Sequence, residues 1–259
     1  MGFWLVGLAQ RSFWLIDPYW TLLPPLLGSL YAAHPRARYS PARSAVALLL
    51  LWAWSARLTH SYFRREGWKF GQREDWRYSK MARDFPRAWP LISFFAVGLA
   101  QQPMLVGISL PAYSVHFGGD APLGAADVLA TVGAVAGLAT ARCADDQLRC
   151  YMLANEALVA AGKPCRALLE TGLWRHSRHP NYFGEQLWWW SFGLFSVGLG
   201  QWYFLWGTFF NSIVLATVTV MTERRMLDNW GAARADAYRA YMRRTSACIP
   251  WFRCGGGGD

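Results

Sequence analysis

Charge is scarce in this sequence and absent from long stretches of it. Only 16% of the 259 residues are charged, 54% are hydrophobic, and residues 186–222 contain no Asp, Glu, Lys or Arg. Soluble domains usually carry about 25% charged residues, so the composition excludes an ordinary soluble fold. One helix through residues 186–222 would rise about 55 Å, whereas a bilayer's hydrocarbon core is about 30 Å thick. Two membrane spans joined near residues 198–201 are therefore predicted.

Other missing features exclude further classes of protein. The five cysteines form no C-x-x-C pair and most fall in segments predicted to be cytosolic, so free thiols are expected. No G-x-G-x-x-G string indicates a Rossmann site. The first residues lack the basic start of a cleaved signal peptide. No internal repeat is visible, and the glycine-rich residues 253–259 are expected to form a disordered tail.

Further apolar stretches predict four more membrane helices, two of which are less regular. Residues 18–35 are interrupted by Pro24-Pro25, and residues 44–56 are only 13 residues long. The two later stretches are each about one membrane thickness long. The four stretches are residues 18–35, 44–56, 88–111 and 123–141. The predicted fold is thus an all-α polytopic transmembrane bundle of six spans, with residues 1–10 as a short seventh or as the start of the first.

Basic residues are concentrated in three segments. Of 26 Lys and Arg residues, nine lie in 57–87, six in 142–183 and seven in 222–259, while the connections near 112–122 and 198–202 hold none. The positive-inside rule therefore predicts that the three basic segments and the C-terminus face the cytosol. The net charge of +10 is then explained by orientation and anionic headgroups, and no nucleic-acid partner is predicted.

Three arginines do not fit this topology, because Arg36, Arg38 and Arg43 precede a span on the side predicted to be non-cytosolic. The chain is otherwise predicted to be one integral-membrane domain. N-terminal helices and a basic loop would occupy residues 1–87, and a core would occupy residues 88–252. Either the endoplasmic reticulum or a bacterial inner membrane is compatible with this sequence, which leaves the oligomeric state open.

The string GLWRHSRHPNYFGE, residues 172–185, brings polar side chains together between apolar stretches. Pro180 disfavours helix at the preceding residue, so a structured bend is predicted before a membrane helix beginning near Gln186. Arg175 and Arg178 have the fork geometry that suits phosphates, whereas the same cations are also typical of a flank that anchors a helix. Both interpretations are open on composition alone.

The same string also offers hydrogen-bonding and metal-ligand atoms. Asn181 and Tyr182 supply an amide and a phenol, and Glu185 is an acceptor for a ribose hydroxyl or an amide. A metal held by His176, His179 and Glu185 is disfavoured, because Pro180 disrupts the helix and no third histidine follows at ligand spacing. No metal is predicted.

Two more polar clusters follow apolar spans. In ADDQLRCY, residues 144–151, Asp145 and Arg149 are four residues apart and so lie on the same face of a helix. Two roles are open for them: an ion pair with each other, or binding of a ligand. Residues 222–252 read TERRMLDNWGAARADAYRAYMRRTSACIPWF, which is also typical of an amphipathic segment lying on a membrane. Its notable side chains are Arg224, Arg225, Tyr238 and Tyr241.

These strings in this order resemble the C-terminal domain of the steroid 5-alpha-reductase and sterol-reductase superfamily. ARLTHSYFRREGW and REDWRY, near residues 56–78, narrow the resemblance to the DUF1295 branch. The resemblance spans about residues 57–252. It implies a membrane oxidoreductase that takes NADPH from the cytosol and reduces a carbon-carbon double bond of a lipid or steroid-like substrate.

The resemblance also implies a cofactor pocket at the cytosolic mouth, built mainly by the C-terminal half. Arg175, Arg178 and His179 lie in its wall. Asp145 and Arg149 match the cofactor segment; Asn181, Tyr182 and Glu185 match the nicotinamide-ribose end; Arg224, Arg225, Tyr238 and Tyr241 match the end near the phosphates and adenosine.

The acid that protonates the substrate is less evident, because the N-terminal half matches the superfamily poorly. Tyr62 is the first candidate and Glu74 the second; an interfacial anchor and an arginine-paired carboxylate are their alternative roles. An S-adenosylmethionine-dependent methyltransferase of the isoprenylcysteine type shares the R-H-P-x-Y-x-G string, but Asn181 and the upstream ADDQL favour a reductase. A non-catalytic scaffold or lipid-binding protein is the remaining alternative.

Overall fold

The computed structural model describes residues 2–69, 71 and 74–252, and the predicted tail at 253–259 lies outside the described residues. The described residues form α-helices and short helical turns, with no strand among them. The helices are α1 Gly2–Gln10, α2 Ile16–Ala32, α3 Pro41–Arg65, α4 Trp76–Asp84, α5 Trp89–Ser93, α6 Gln101–Phe117, α7 Ala125–Ala160, α8 Pro180–Gly198, α9 Trp206–Asn229 and α10 Ala232–Arg244. A π-helical turn, Phe94–Leu99, follows α5, and 3₁₀ turns cover Gly172–Arg175 and Trp202–Leu205.

Three helical stretches are long and apolar enough to cross a membrane, which supports a membrane protein. They are Trp89–Phe117, Ala125–Ala160 and Trp202–Asn229. They overlap three of the six predicted spans, whereas the other three predicted spans and the orientation stay predictions. At 36 residues α7 is about 54 Å long, so it extends well past a hydrocarbon core of about 30 Å.

The chain divides into two compact units, and the first comprises residues 1–132 and 190–211. Within it α2 packs against α3 and α6. The α2–α3 contact includes polar pairs: Thr59 donates to Thr21 over 2.7 Å, and Trp52 Nε1 donates to Ser29 over 3.2 Å. Such bonds let hydroxyls lie between helices without an unsatisfied buried group.

The two glycines Gly107 and Gly207 bring α6 and α9 into backbone contact within the first unit. A Cβ atom on Gly207 would overlap the Gly107 carbonyl group, and one on Gly107 would lie 3.1 Å from the Gly207 Cα atom. Small residues permit such close crossings in membrane proteins, where dispersion contacts replace the hydrophobic effect between helices.

A buried ion pair accounts for one of the three arginines that did not fit the predicted topology. The Arg43 Nε and Nη2 atoms donate to the Asp127 carboxylate over 2.6 and 2.9 Å, and the remaining guanidinium donors bind the carbonyls of Ala121 and Pro122. Because its charge is neutralised by a residue 84 positions away, Arg43 adds no net positive charge at the start of α3.

The second unit comprises residues 133–189 and 212–259. Here α7 and α8 cross at small residues: a Cβ atom on Gly184 would lie 2.5 Å from the Ala141 nitrogen, and one on Gly137 would lie 2.6 Å from the Trp188 nitrogen. The predicted single domain, with its division between residues 87 and 88, stays a prediction.

Candidate functional site

The polar string at 172–185 folds as a 3₁₀ turn followed by the start of α8. Gly172 has φ +60°, which suits glycine, and a Cβ there would collide with the Gln147 side chain. The Gln147 Oε1 atom accepts from the Leu173 nitrogen over 3.0 Å and so fixes the turn.

The prediction that the helix begins near Gln186 was wrong, because α8 begins at Pro180. Proline is favoured in the first turn of a helix, where it lacks only a hydrogen bond that the helix does not make. The predicted bend therefore ends at His179. Asn181, Tyr182 and Glu185 consequently project from the first two turns of α8 rather than from a loop.

Arg178 is held inside the second unit by a carboxylate and by backbone carbonyls. Its Nε atom donates to Glu223 Oε1 over 2.7 Å and its Nη2 atom to Glu223 Oε2 over 3.2 Å, while Nη1 binds the carbonyls of Met242 and Thr245. Burial opposes the charge, but the bonds to Glu223 outweigh it and raise the pKa of the Arg178 guanidinium. These contacts favour a structural role for Arg178.

The Glu223 Oε1 atom accepts two more hydrogen bonds, from His179 Nε2 and from the Tyr238 hydroxyl, each over 3.1 Å. All three of these residues are buried. Burial and then the charge of Glu223 raise the pKa of Tyr238. His179 also stacks on Tyr182, with ring centroids 5.1 Å apart and planes 14° apart. The charged network thus fixes the residues that precede and begin α8.

Tyr241 fixes the same turn from α10. Its buried hydroxyl donates to the carbonyls of Trp174 and Ser177. With Tyr238, which lies one helical turn earlier, it joins α10 to the segment before α8. Both tyrosines were predicted to lie near a cofactor, and their hydroxyls are occupied by protein groups in this structure.

The amide of Asn181 lies beside the ADDQLRCY segment. Its Nδ2 atom donates to Asp145 Oδ1 over 3.4 Å. Its Oδ1 atom is buried and makes no hydrogen bond within the described chain. A buried carbonyl oxygen without a donor costs free energy, so this atom is a candidate acceptor for a ligand.

Gln186 presents the complementary group five residues later. Its Oε1 atom accepts from the Ser212 hydroxyl, but its Nε2 atom is buried and has no acceptor among the described residues. Gln186 was not predicted as a site residue. The signal that could have found it is an amide at the very start of a 37-residue stretch without charge.

The remaining predicted cations are more accessible. Arg175, Arg224 and Arg225 are exposed, and Arg149 is half-buried, as is the predicted ligand Glu185. Arg224 and Arg225 directly follow Glu223 in α9, which connects them to the network around Arg178. No group of three or more His, Cys, Asp or Glu side chains in the described ranges is arranged to hold a metal ion.

Both predicted catalytic residues lie in the first unit. Glu74 accepts from the Phe13 nitrogen over 2.7 Å and from the Ser79 hydroxyl over 3.2 Å, contacts that hold the connection between α1 and α2. Glu74 therefore has a structural role in this fold. Its catalytic function stays a prediction.

Tyr62 lies near the end of α3 and hydrogen-bonds to Asp17, which begins α2. Burial, partly opposed by Arg65, raises the pKa of Asp17 to about 6. Burial and then the negative charge of Asp17 raise the pKa of Tyr62 to about 12. Asp17 was not predicted, although a lone carboxylate immediately before the first apolar stretch was a visible signal.

Comparison with known proteins identifies the family. The family model described as "Protein of unknown function (DUF1295)" matches residues 3–245, nearly the whole chain. The chain belongs to the DUF1295 family. This DUF1295 chain is also similar to "Uncharacterized protein C594.04c" of Schizosaccharomyces pombe, with 28% identity over 265 residues that cover 95% of this chain and 75% of the relative. No solved structure matches it.

Proposed function

We propose that this DUF1295 protein is a membrane-embedded, NADPH-dependent reductase of a carbon-carbon double bond in a lipid or steroid-like substrate. The observation that carries the proposal is the buried, unpartnered Oδ1 atom of Asn181 at the start of α8. This asparagine belongs to the N-Y-x-G-E string on which the resemblance to sterol reductases rests.

In chemical type, the amides of Asn181 and Gln186 suit the carboxamide of a nicotinamide ring. A primary carboxamide offers N–H donors and a carbonyl acceptor. The Asn181 Oδ1 atom is an acceptor that needs a donor, and the Gln186 Nε2 atom is a donor that needs an acceptor. Asp145 and Ser212 hold the other ends of these two side chains, so both amides are oriented before a ligand binds.

Exposed cations of the second unit suit the phosphates of the same cofactor. Arg175, Arg224 and Arg225 are exposed at the start and end of segments that the Glu223 network fixes. A guanidinium fork matches phosphate oxygens. Arg178 is assigned instead to positioning these segments, because its donors bind Glu223 and backbone carbonyls.

When bound, NADPH would supply the hydride for reduction. The residues of the second unit would bind and orient the carboxamide, and the buried indoles of Trp188 and Trp189 would help to exclude water. Tyr62 is the first candidate for the substrate acid, because its phenol carries a proton to donate, whereas the Glu74 carboxylate accepts from Phe13 and Ser79.

Binding to the detergent-purified protein tests the proposal. Asn181→Ala is expected to weaken NADPH about 5- to 150-fold, because about 1 to 3 kcal/mol is lost when a buried hydrogen bond is broken. Asn155→Ala is the matched control: its amide pairs with the backbone of Arg166, so NADPH affinity should not change. S-adenosylmethionine binding in place of NADPH would favour the methyltransferase, and binding of neither would favour a scaffold; both results contradict a reductase.

A further inference from the structure

The last described residues, 245–252, form a C-terminal strap that is fixed along its length. The Ser246 carbonyl accepts from the Arg178 nitrogen over 2.9 Å, and the Trp251 nitrogen donates to the His176 carbonyl over 3.0 Å. Between these points the Ser177 hydroxyl donates to the Cys248 carbonyl over 2.6 Å. The strap therefore has a defined position.

Despite this fixed backbone, the strap turns its largest apolar side chains outward. Ile249 is 67% exposed, Trp251 65% and Phe252 82%. Because hydrogen bonds fix the backbone of the strap, the strap cannot rearrange to bury these three side chains against the protein. Such a cluster of exposed apolar groups usually marks a surface that another phase or molecule covers.

The strap lies at the level where an apolar span ends. Glu223 is the first charged residue after the uncharged run that includes most of Trp202–Asn229, a stretch long and apolar enough to span a membrane. Arg178 joins that boundary to the strap, because one guanidinium binds both the Glu223 carboxylate and the Thr245 carbonyl. The end of the uncharged run and the start of the strap therefore lie within reach of one arginine side chain.

The charge around the strap matches an anionic leaflet. Residues 237–252 contain three arginines and no acidic residue. Arg243 is exposed two residues before the strap. Tryptophan favours the headgroup boundary, and each arginine near an anionic surface contributes about 1 kcal/mol.

We propose that Ile249, Trp251 and Phe252 form an interfacial anchor that inserts into the headgroup region of a leaflet containing anionic lipid, with Arg243 on the lipid phosphates. The family match ends at residue 245, so the anchor lies beyond the residues that the family model describes. This proposal rests on the membrane character of the chain and is independent of the proposed reaction.

Site-specific labelling in nanodiscs tests the anchor. One variant carries Phe252→Cys with every native cysteine changed to serine, and its control retains only native Cys165, which is exposed in the connection after α7. In nanodiscs of phosphatidylcholine with 30% phosphatidylglycerol, a nitrobenzoxadiazole label at 252 is expected to be quenched by headgroup-region nitroxide lipids and protected from iodide. The label at 165 should show the reverse. Iodide access at 252 equal to that at 165 would overturn the proposal by showing that the strap faces water. Protection from iodide without quenching by the nitroxide lipids would overturn it too, because the strap would then be covered by protein.

A second measurement keeps the native cysteines. Trypsin cleavage after Arg243 and Arg244 should be about fivefold slower in nanodiscs with phosphatidylglycerol than in phosphatidylcholine alone, since about 1 kcal/mol per arginine corresponds to about fivefold. Trp251→Ser with Phe252→Ser should abolish this difference. Equal cleavage rates of the native chain in the two lipids would contradict the anchor.

Discussion

The Oε1 atom of Glu223 lies 2.7 Å from the Nε atom of Arg178, and both side chains are about nine-tenths buried. The same oxygen accepts from His179 and Tyr238, so one carboxylate joins α9, α10 and the residues before α8. Charge burial is tolerated here because the carboxylate and guanidinium compensate each other and neighbouring polar groups satisfy their hydrogen bonds.

We expect Glu223→Ala to destabilise the protein by about 3 to 5 kcal/mol, because it leaves the Arg178 charge buried without its partner. Thermal unfolding in detergent measures the loss. Glu170→Ala is the control, since Glu170 pairs with Arg244 at a more exposed position and such pairs contribute about 0 to 1 kcal/mol. Equal losses in the two variants would show that the Glu223 network is not a stabilising centre.

Gly207→Ala should disrupt the α6–α9 crossing, because the added methyl group would overlap the backbone of Gly107. Overpacking of this kind costs about 1 to 3 kcal/mol and more where the backbone must move. Gly231→Ala is a control with no atom within 4 Å of the added Cβ. A melting temperature for Gly207→Ala as high as that of Gly231→Ala would contradict the close contact.

The half-buried Asp17 carboxyl predicts a pH dependence of stability. Its pKa in the fold, about 6, lies above the usual aspartate pKa of 3.8, so the folded chain binds more protons between these values. The associated stability is complete below about pH 4 and is lost as the pH rises through 6. Asp17→Asn should remove this loss, which we expect to be about 1 to 3 kcal/mol.

Unfolding measured from pH 4 to 8 checks the role of Asp17. The wild type should lose stability relative to Asp17→Asn as the pH rises, whereas exposed Asp236→Asn should follow the wild type. A constant difference between wild type and Asp17→Asn over the whole range would count against a raised pKa.

The predicted orientation can be tested at positions that flank α7. Ala121→Cys and native Cys165 are both exposed, and one candidate span lies between them. Each retained as the single cysteine should react with an impermeant maleimide from opposite sides of a sealed vesicle, Cys165 from the cytosolic side. Gly118 is unsuitable, because a Cβ there would lie 2.5 Å from the Ser114 carbonyl oxygen. Labelling of both positions from one side would refute the topology.

Features that depend on neighbouring residues in the chain were predicted better than features that depend on distant ones. Low charge and long apolar stretches predicted an all-helical chain with membrane-spanning character, and the motif order predicted the DUF1295 family. The start of α8 at Pro180 was not predicted. A proline is typical both of a bend and of the first turn of a helix, so the local sequence did not distinguish the two.

Pairings between distant residues could not be predicted in the same way. The Arg178 side chain has the chemistry of a phosphate ligand, yet its guanidinium is bound by Glu223, 45 positions away. Arg43 contradicted the charge rule until the fold placed Asp127 against it. Composition and periodicity reflect the solvent that each segment meets, and the sequence by itself determined those. Only the tertiary structure decided which charges neutralise each other and which amide atoms are left without a partner among the described residues, because hydrogen bonds depend on distances that chain order does not set.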